Sequence, residues 1–385
     1  MHKYTIVTAM FDIRQRENNL LKDISSNGEF MIFDEYLEPA SFLFNKQYPL
    51  IVFCEPKDAN KLWELRPNHL HHITRIIPLE YEELPLYCHF EQFEKGHIGR
   101  PVLNLHKEKF TALYKFIVNL KTEFVKQAIH MNPFNSEIFG WMDIRLHSVY
   151  DISDSVLENV LDNMDPCRVI ITQSTYTMQE EIEVGRSQFY DWTRGKVCAG
   201  LFIGHKDPIL DFCEKCKTEF LLSIGEGLAP SDEMIYAYVV GGNHHLFEPH
   251  VGDYCDVLRN LDYHRHSTHL ACAFIHKSFE KGNHYYTHKI CESMRIGYLK
   301  GIIPEIRDHD VYCIWYYNYV ACFWMGKYGR CHELLEEYYE ILVGNENLQN
   351  HLKSIYGFFR QMMQYLGDVK LMMLYDKLIS GGHYP

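Results

Sequence analysis

Residues 132–145 read NPFNSEIFGWMDIR, and this segment gives the clearest indication of the fold. Asn132-Pro133 ends the helical pattern before it, and the apolar run 137–142 has the composition of a buried strand. Asp143 follows that strand directly. Because open α/β sheets bind ligands at the carboxyl ends of their strands, we expect Asp143 at such an edge. A helix N-cap or turn is the plainer interpretation of the same aspartate.

Outward from this segment, short β-rich runs alternate with helical patterns from residue 4 to about residue 262, which predicts a mostly parallel or mixed sheet covered by helices. Beyond it, residues 264–380 read as helical hairpins separated by glycine turns. We therefore predict an α/β domain at 1–262 and an all-helical, tetratricopeptide-like domain at 263–385. The predicted strands are 4–10, 49–54, 73–78, 137–142, 167–172 and 197–203, and the predicted helices of the first domain are 34–46, 57–65, 106–130, 153–163, 205–223 and 231–241.

The segment at 80–105 has little periodicity. Such stretches are typical either of binding loops and lids or of plain excursions of the chain. We expect an irregular loop there.

The composition excludes several classes of protein. The 385 residues are 46% hydrophobic and 23% charged, as in globular domains, and no run of about 18 apolar residues could span a bilayer. A net charge of −13, from 38 basic and 51 acidic residues, argues against nucleic acid as a partner, because phosphate binding needs a positive surface. The first residues read as a strand and not a signal peptide, and twelve scattered cysteines fit a reducing compartment. We expect a cytoplasmic protein.

Several motifs occur in the order found in one protein family. They are TIVTAMFDIR from Thr5, Asn-Leu-Lys ending at Lys121, the 132–143 segment, AGLFIG at 199–204, Ser-Asp-Glu at 231–233 and Gly-Asp-Tyr at 252–254. Together they resemble the HtrL/YibB family over about residues 4–260. The resemblance implies a GT-A-like glycosyltransferase fold, in a family whose members are mostly of unassigned activity. It also implies a nucleotide-sugar donor, a UDP-sugar most readily, with its base near Thr8, Phe11 and Arg14.

The residue two places after Asp143 bears on how a diphosphate would be held. Enzymes that use nucleotide sugars commonly hold a divalent ion with an Asp-x-Asp pair, but here the third position is Arg145, a departure from the family as well. Two interpretations remain open. Asp143 binds Mn²⁺ or Mg²⁺ with help from elsewhere, His250 being a candidate, or cations stabilise the diphosphate without a metal.

Other candidates gain weight from the same resemblance. Lys121 could reach the diphosphate as a point charge, although a solvated lysine is the alternative. Gly200 either lets the backbone approach a ligand or forms a tight strand exit. Asp232 and Glu233 open a helix, where they complement its dipole behind the N-cap Ser231, or act as base or sugar-binding group.

The sequence supports two hypotheses of different classes. The first is a glycosyltransferase acting on a glycan or protein hydroxyl. The second is a nucleotide-sugar-fold protein without catalysis that binds or scaffolds through its helical domain, which could also form a homo-oligomer. Convergence in one cleft of Thr8, Lys121, Asp143 and Asp232 would favour the enzyme. The candidate residues are Thr8, Ala9, Phe11, Arg14, Lys121, Trp141, Asp143, Arg145 and Gly200 for the donor, Asp232 and Glu233 for catalysis, and Asp143 and His250 for a metal.

Overall fold

The computed structural model describes residues 3–13, 40–99, 111–144, 146, 154–192, 195–253, 257–258, 268–303, 306–343 and 345–380. The chain divides into two compact units, Met1–Asp262 and Tyr263–Pro385. In their described parts, the first unit is α/β and the second is helical.

Within the described residues, the first unit contains one mixed sheet of seven strands. These are β1 Tyr4–Met10, β2 Leu50–Cys54, β3 Thr74–Pro78, β4 Ile138–Met142, β5 Val169–Gln173, β6 Val197–His205 and β7 Phe247–Val251. The strand order is β3-β2-β1-β4-β6-β5-β7. Neighbouring strands are parallel except that β6 is antiparallel to both β4 and β5. The order changes direction between β1 and β4, and open α/β sheets bind ligands at such switch points.

The described part of the first unit also contains helices, several of which pack directly against the sheet. They are α1 Ala59–Leu65, α2 Phe90–Gly99, α3 Ala112–Asn119, α4 Lys121–Met131, α5 Asp154–Asn163, α6 Gln179–Glu183, α7 Arg186–Trp192, α8 Lys206–Gly225 and α9 Asp232–Gly242. On one face, the ring of Phe124 in α4 stacks on Trp141 of β4 at 6.2 Å between centroids. On the same face, Phe212 of α8 meets Phe202 of β6 at 5.3 Å. Every residue of β4 is buried, which explains why this strand reads as a continuous apolar run.

The single helix predicted at 106–130 is wrong in its described part, because two helices lie there. Leu120 closes α3 and precedes the first residue of α4, with φ −84° and ψ −3°. The heptad-like spacing of apolar residues continues across this break, so periodicity alone could not reveal it. The break places Lys121 at the start of a helix.

The irregular loop predicted at 80–105 is also corrected. Its described part contains short 3-10 turns at Tyr81–Glu83 and Tyr87–His89, followed by α2. Phe93 of α2 is fully buried and meets the ring of Phe116 edge-on at 5.7 Å. Aromatic anchoring therefore orders a segment that lacks a regular apolar period.

The sequence pattern does not predict β7. This strand, Phe247–Val251, contains Pro249 and follows two histidines. Proline is tolerated in a strand mainly at a sheet edge, since it has no N–H to donate, and β7 is an edge strand that pairs with β5 alone. In the sequence this proline argues against a strand, whereas in the structure it lies in a strand at the edge of the sheet.

The second unit confirms the predicted helical hairpins. Its helices are α10 Thr268–Glu280, α11 His284–Leu299, α12 Asp308–Trp324, α13 Tyr328–Val343, α14 Glu346–Tyr365 and α15 Val369–Ile379. Gly282, Gly326 and Gly367 end α10, α12 and α14 with φ values of 70°, 72° and 72°. Glycine adopts this left-handed conformation without the strain that a side chain would cause, so the same turn recurs in all three hairpins.

A half-buried carboxylate joins α11, α12 and α13. The carboxylate of Glu292 accepts hydrogen bonds from Arg295, Arg330 and Asn318. Burial alone would raise the pKa of Glu292, but these partners lower it below its ordinary value. Among the residues that the structure describes, no helix combines the length and apolar character needed to cross a membrane.

Candidate functional site

The ammonium group of Lys121 lies at the centre of the candidate site. Its Nζ is 3.0 Å from Oδ1 of Asp143 and 2.8 Å from Oδ2 of Asp232, and it donates to the carbonyl oxygen of Ala199 at 3.1 Å. An ammonium has three N–H donors, so these three acceptors satisfy it. We call Lys121, Asp143 and Asp232 the lysine–carboxylate cluster.

The start of α9 is tied to the end of α3. The side-chain amide of Asn119 donates to the carbonyl oxygen of Pro230 at 3.0 Å, two residues before Asp232. Ser231 occupies the N-cap position, although its side chain makes no capping hydrogen bond. The positive end of the α9 dipole still favours the carboxylate of Asp232 in its first turn. This arrangement brings together two helix starts, those of α4 and α9.

The carboxylate of Asp143 is oriented by its own strand and by β6. Trp141 Nε1 donates to Oδ1 of Asp143 at 2.7 Å, and the backbone N–H of Asp143 donates to the carbonyl oxygen of Gly200 at 2.8 Å. A Cβ atom at Gly200 would lie 3.4 Å from Oδ2 of Asp143 and 2.9 Å from Cδ1 of Leu146. Gly200 therefore leaves the space that the carboxylate occupies.

Exposure and charge differ across the cluster. The side chains of Lys121 and Asp232 are 7% and 9% exposed, whereas that of Asp143 is 30% exposed. Burial lowers the pKa of Lys121, but the two carboxylates outweigh it, and the pKa lies well above the ordinary 10.5. Two carboxylates and one ammonium give a formal charge of −2 + 1 = −1. Such a site favours ligand groups that donate hydrogen bonds.

The α/β unit matches a known family model. Residues 2–262 match the family described as bacterial protein of unknown function, HtrL_YibB. This match spans more than half of the chain and includes the whole lysine–carboxylate cluster. The chain belongs to the HtrL/YibB family. No curated protein matches the sequence.

In this HtrL/YibB protein, Thr8 does not join the cluster. Val7 of β1 pairs with Trp141 of β4, so the alternation of side chains places Ala9 level with Asp143 on the same face of the sheet. Thr8 therefore points to the opposite face, where it is fully buried. Of the four side chains expected to converge, those of Lys121, Asp143 and Asp232 do so. On the adjacent strand β1, Ala9 and not Thr8 lies level with Asp143.

Phe11 and Glu233 lie near the same edge of the HtrL/YibB fold. Phe11 follows β1 and is half-buried, with its ring 5.9 Å from those of Phe124 and Tyr81. It forms an apolar surface beside the carboxyl end of β1. Glu233 is half-buried in the first turn of α9. The expectations for Arg14 and Arg145 fall outside the described residues.

The pairing of His250 with Asp143 as metal ligands is corrected by the strand order. His250 is fully buried in β7, three strands away from β4. At about 4.8 Å between neighbouring strands, this separation is roughly 14 Å, too far for one ion to bind both residues. Because the sequence pattern does not predict β7, it gives no indication of this separation.

The residues present do not fit a divalent ion between the two carboxylates. Lys121 Nζ already lies between Asp143 and Asp232, at hydrogen-bond distance from each. Within the described ranges, no group of three or more His, Cys, Asp or Glu side chains is arranged to hold a metal ion. The cluster is therefore built around an ammonium group.

Sequence reasoning missed two contributors to the site. Asn119 holds the segment before α9, and Ala199 supplies a carbonyl oxygen to Lys121. Asn119 is the first residue of the Asn-Leu-Lys motif, which was a usable signal. The role of Ala199 depends on a backbone atom of a distant strand, which no side-chain pattern reveals.

Proposed function

We propose that this HtrL/YibB protein is a glycosyltransferase with a GT-A-like fold. It transfers a sugar from a nucleoside diphosphate donor, a UDP-sugar most readily, to a hydroxyl of a glycan or protein acceptor. The observation that carries the proposal is the lysine–carboxylate cluster beside the switch point between β1 and β4. Ligands of open α/β sheets bind in this crevice.

The cluster is suited to the sugar part of the donor. Its formal charge of −1 would repel a diphosphate, whereas ionised carboxylates accept hydrogen bonds from sugar hydroxyls. Asp143 is the accessible acid, with 30% of its side chain exposed. This changes the sequence expectation, in which Asp143 held the diphosphate.

The transfer needs one proton acceptor. A bond forms between the acceptor oxygen and the anomeric carbon, the bond from that carbon to the diphosphate oxygen breaks, and the hydroxyl proton passes to a carboxylate. We assign that role to Asp143, with Glu233 as the second candidate. Asp232, buried and paired with Lys121, positions the lysine instead.

Positive charge for the leaving diphosphate has to come from outside the cluster. Of the two interpretations left open by the sequence, metal or cations, the ammonium-centred geometry supports the second. Arg145 is two residues beyond Asp143 in the sequence, and Arg14 follows β1. We assign the diphosphate to these two guanidinium groups, which suit phosphate oxygens.

A protein without catalysis remains the second candidate function. One observation favours it: the three N–H donors of Lys121 are satisfied within the protein, so the cluster is complete as a structural element. In that case the cluster stabilises the fold, and the helical unit provides the binding surface.

Thermal shift distinguishes the two candidates. The full chain is heated with UDP, GDP, CMP and UDP-sugars, each with and without Mn²⁺. A ligand at about 100 times its Kd stabilises the folded state by about 2.7 kcal/mol. We expect UDP to raise the melting temperature without Mn²⁺, and a UDP-sugar to raise it further.

Asp143→Asn should remove the additional shift from the sugar while keeping the shift from UDP. Asp211→Asn is the matched control, because Asp211 lies on the exposed surface of α8 in a pair with Lys215. If no nucleotide at millimolar concentration raises the melting temperature, the transferase proposal fails and the second candidate stands.

A further inference from the structure

A second group of carboxylates lies at the carboxyl ends of β1 and β2. Glu55 follows β2 directly, and its Oε2 accepts the backbone N–H of Asp12, beyond β1, at 2.8 Å. The backbone N–H of Asp58 donates to the carbonyl oxygen of Glu55 at 3.0 Å. The two loops are thereby joined on the β2 side of β1, opposite the side where β4 lies.

Asp58 has a hydrogen-bonding capacity that the protein leaves unused. The residue is only 5% exposed, and its Oδ2 has no hydrogen-bond partner among the described residues. Burial raises the pKa of Asp58 and the nearby carboxylates of Glu55 and Asp12 raise it further, whereas Lys57 and Lys61 oppose the rise. A buried polar atom without a partner costs about 1–3 kcal/mol, so it points to a ligand that supplies the missing donor.

We propose that Glu55 and Asp58 bind the ribose hydroxyls of a ribonucleotide. The inference rests on the proposed function and identifies where the nucleoside part of the donor binds. Ionised carboxylates only accept hydrogen bonds, and a ribose presents two neighbouring hydroxyl donors. In doubly wound nucleotide-binding sheets, an acidic residue in this region of the second strand serves the ribose in the same way.

The strand order gives the ligand a consistent path. Glu55 follows β2 and Asp143 follows β4, two strand positions apart, which is about 10 Å. The end of β1, with the half-buried ring of Phe11, lies between them. The ribose on one side and the transferred sugar on the other leave the diphosphate to cross the end of β1.

A phosphate at the Glu55 side is disfavoured by the same charges. The partial neutralisation of Glu55 comes from Lys57, whose Nζ lies 3.2 Å from Oε1 and whose side chain is 39% exposed. Lys61 is a second cation that acts on Asp58, but the three carboxylates of Glu55, Asp58 and Asp12 still outnumber the two lysines. The site therefore selects neutral hydroxyl donors and not an anion.

The test compares binding of UDP, 2′-deoxy-UDP and inorganic pyrophosphate by isothermal titration calorimetry. We expect the unmodified protein to bind UDP about tenfold more tightly than 2′-deoxy-UDP, because one hydrogen bond to a charged group is lost. Glu55→Gln and Asp58→Asn should each reduce this preference toward onefold. The amide introduced by Glu55→Gln retains an oxygen that can accept the Asp12 N–H, so folding is preserved.

Glu64→Gln is the matched control, since Glu64 is an exposed acid on α1 and loses the same charge. The Glu64→Gln variant should keep the tenfold preference for UDP over 2′-deoxy-UDP. Equal affinity of the unmodified protein for UDP and 2′-deoxy-UDP would overturn the ribose assignment without any substitution, while leaving the transferase proposal intact because UDP still binds. A preference for UDP that persists in both Glu55→Gln and Asp58→Asn would likewise overturn the ribose assignment. Failure of every nucleotide to bind would overturn both proposals.

Discussion

Replacing Lys121 with methionine tests the lysine–carboxylate cluster most directly. Methionine keeps much of the aliphatic volume but removes the charge that Asp143 and Asp232 share. Breaking a buried ion pair from one side costs about 3–5 kcal/mol, because a charge is left without a partner. Asp143 is 30% exposed, and solvent screens its carboxylate, so we expect the lower end, about 3 kcal/mol.

Thermal unfolding of the full chain, followed by circular dichroism, measures this loss. For a unit of the size of Met1–Asp262, about 3 kcal/mol corresponds to a fall of roughly 6–12 °C in melting temperature. Lys215→Met is the matched control, since its pair with Asp211 spans 3.2 Å between side chains that are 34% and 48% exposed. That substitution should cost less than about 1 kcal/mol.

The pH dependence of stability provides an independent check on the contribution of Lys121. The pKa of Lys121 is raised in the folded state above its ordinary 10.5, so its stabilising contribution is fully present below about 10.5 and lost as pH rises through the folded pKa. The Lys121→Met effect should therefore be constant between about pH 6 and about pH 9. A melting temperature indistinguishable from that of Lys215→Met would refute the reasoning.

Two further substitutions test the space around Asp143 and the network of the second unit. Gly200→Ala should lower stability by about 1 kcal/mol, because its Cβ would meet the flexible end of Leu146 at 2.9 Å. It should also reduce the thermal shift from a UDP-sugar, because the new Cβ displaces the Asp143 carboxylate. An unchanged thermal shift would contradict this. Glu292→Gln should cost about 2 kcal/mol at neutral pH, measured by urea unfolding. The pKa of Glu292 is lowered on folding, so its contribution to stability is present above its ordinary pKa of 4.5 and is lost as pH falls through the folded pKa. A stability difference between the unmodified protein and Glu292→Gln that grows in acid would count against this prediction.

Local sequence patterns predicted most strands of the α/β unit. The first strand has the predicted bounds, Tyr4–Met10, and the strand before Asp143 differs by one residue at its start. Both are short apolar runs bounded by polar or turn residues, and burial on both faces leaves no alternation to confuse the pattern. β7 was not predicted, because a proline and neighbouring histidines interrupt the apolar pattern of this edge strand.

The candidate site was predictable only in part. The position of Asp143 after a buried strand followed from the sequence, as did that of Asp232 at a helix start. Convergence of these residues was expected only through the family resemblance, and their pairing with one ammonium could not be derived from local patterns. Lys121 and Asp232 are 111 residues apart, and the distance between them is set by the packing of α4, α9 and β6. Side-chain alternation would have excluded Thr8 from the cluster once the β1/β4 register was known.

The signs of the charges constrain how any nucleotide sugar would lie across the sheet. Acidic groups flank the end of β1 on both sides, Glu55 and Asp58 beyond β2 and the lysine–carboxylate cluster beyond β4. Hydroxyl-rich parts of a ligand gain hydrogen bonds at both places, whereas a diphosphate is repelled from each. The central position at the end of β1 is therefore where the diphosphate belongs, and cationic side chains following β1 and β4 in the sequence are the groups that must neutralise it. A nucleotide that binds equally well after both arginines, Arg14 and Arg145, are replaced by alanine would show that this division of charge is wrong.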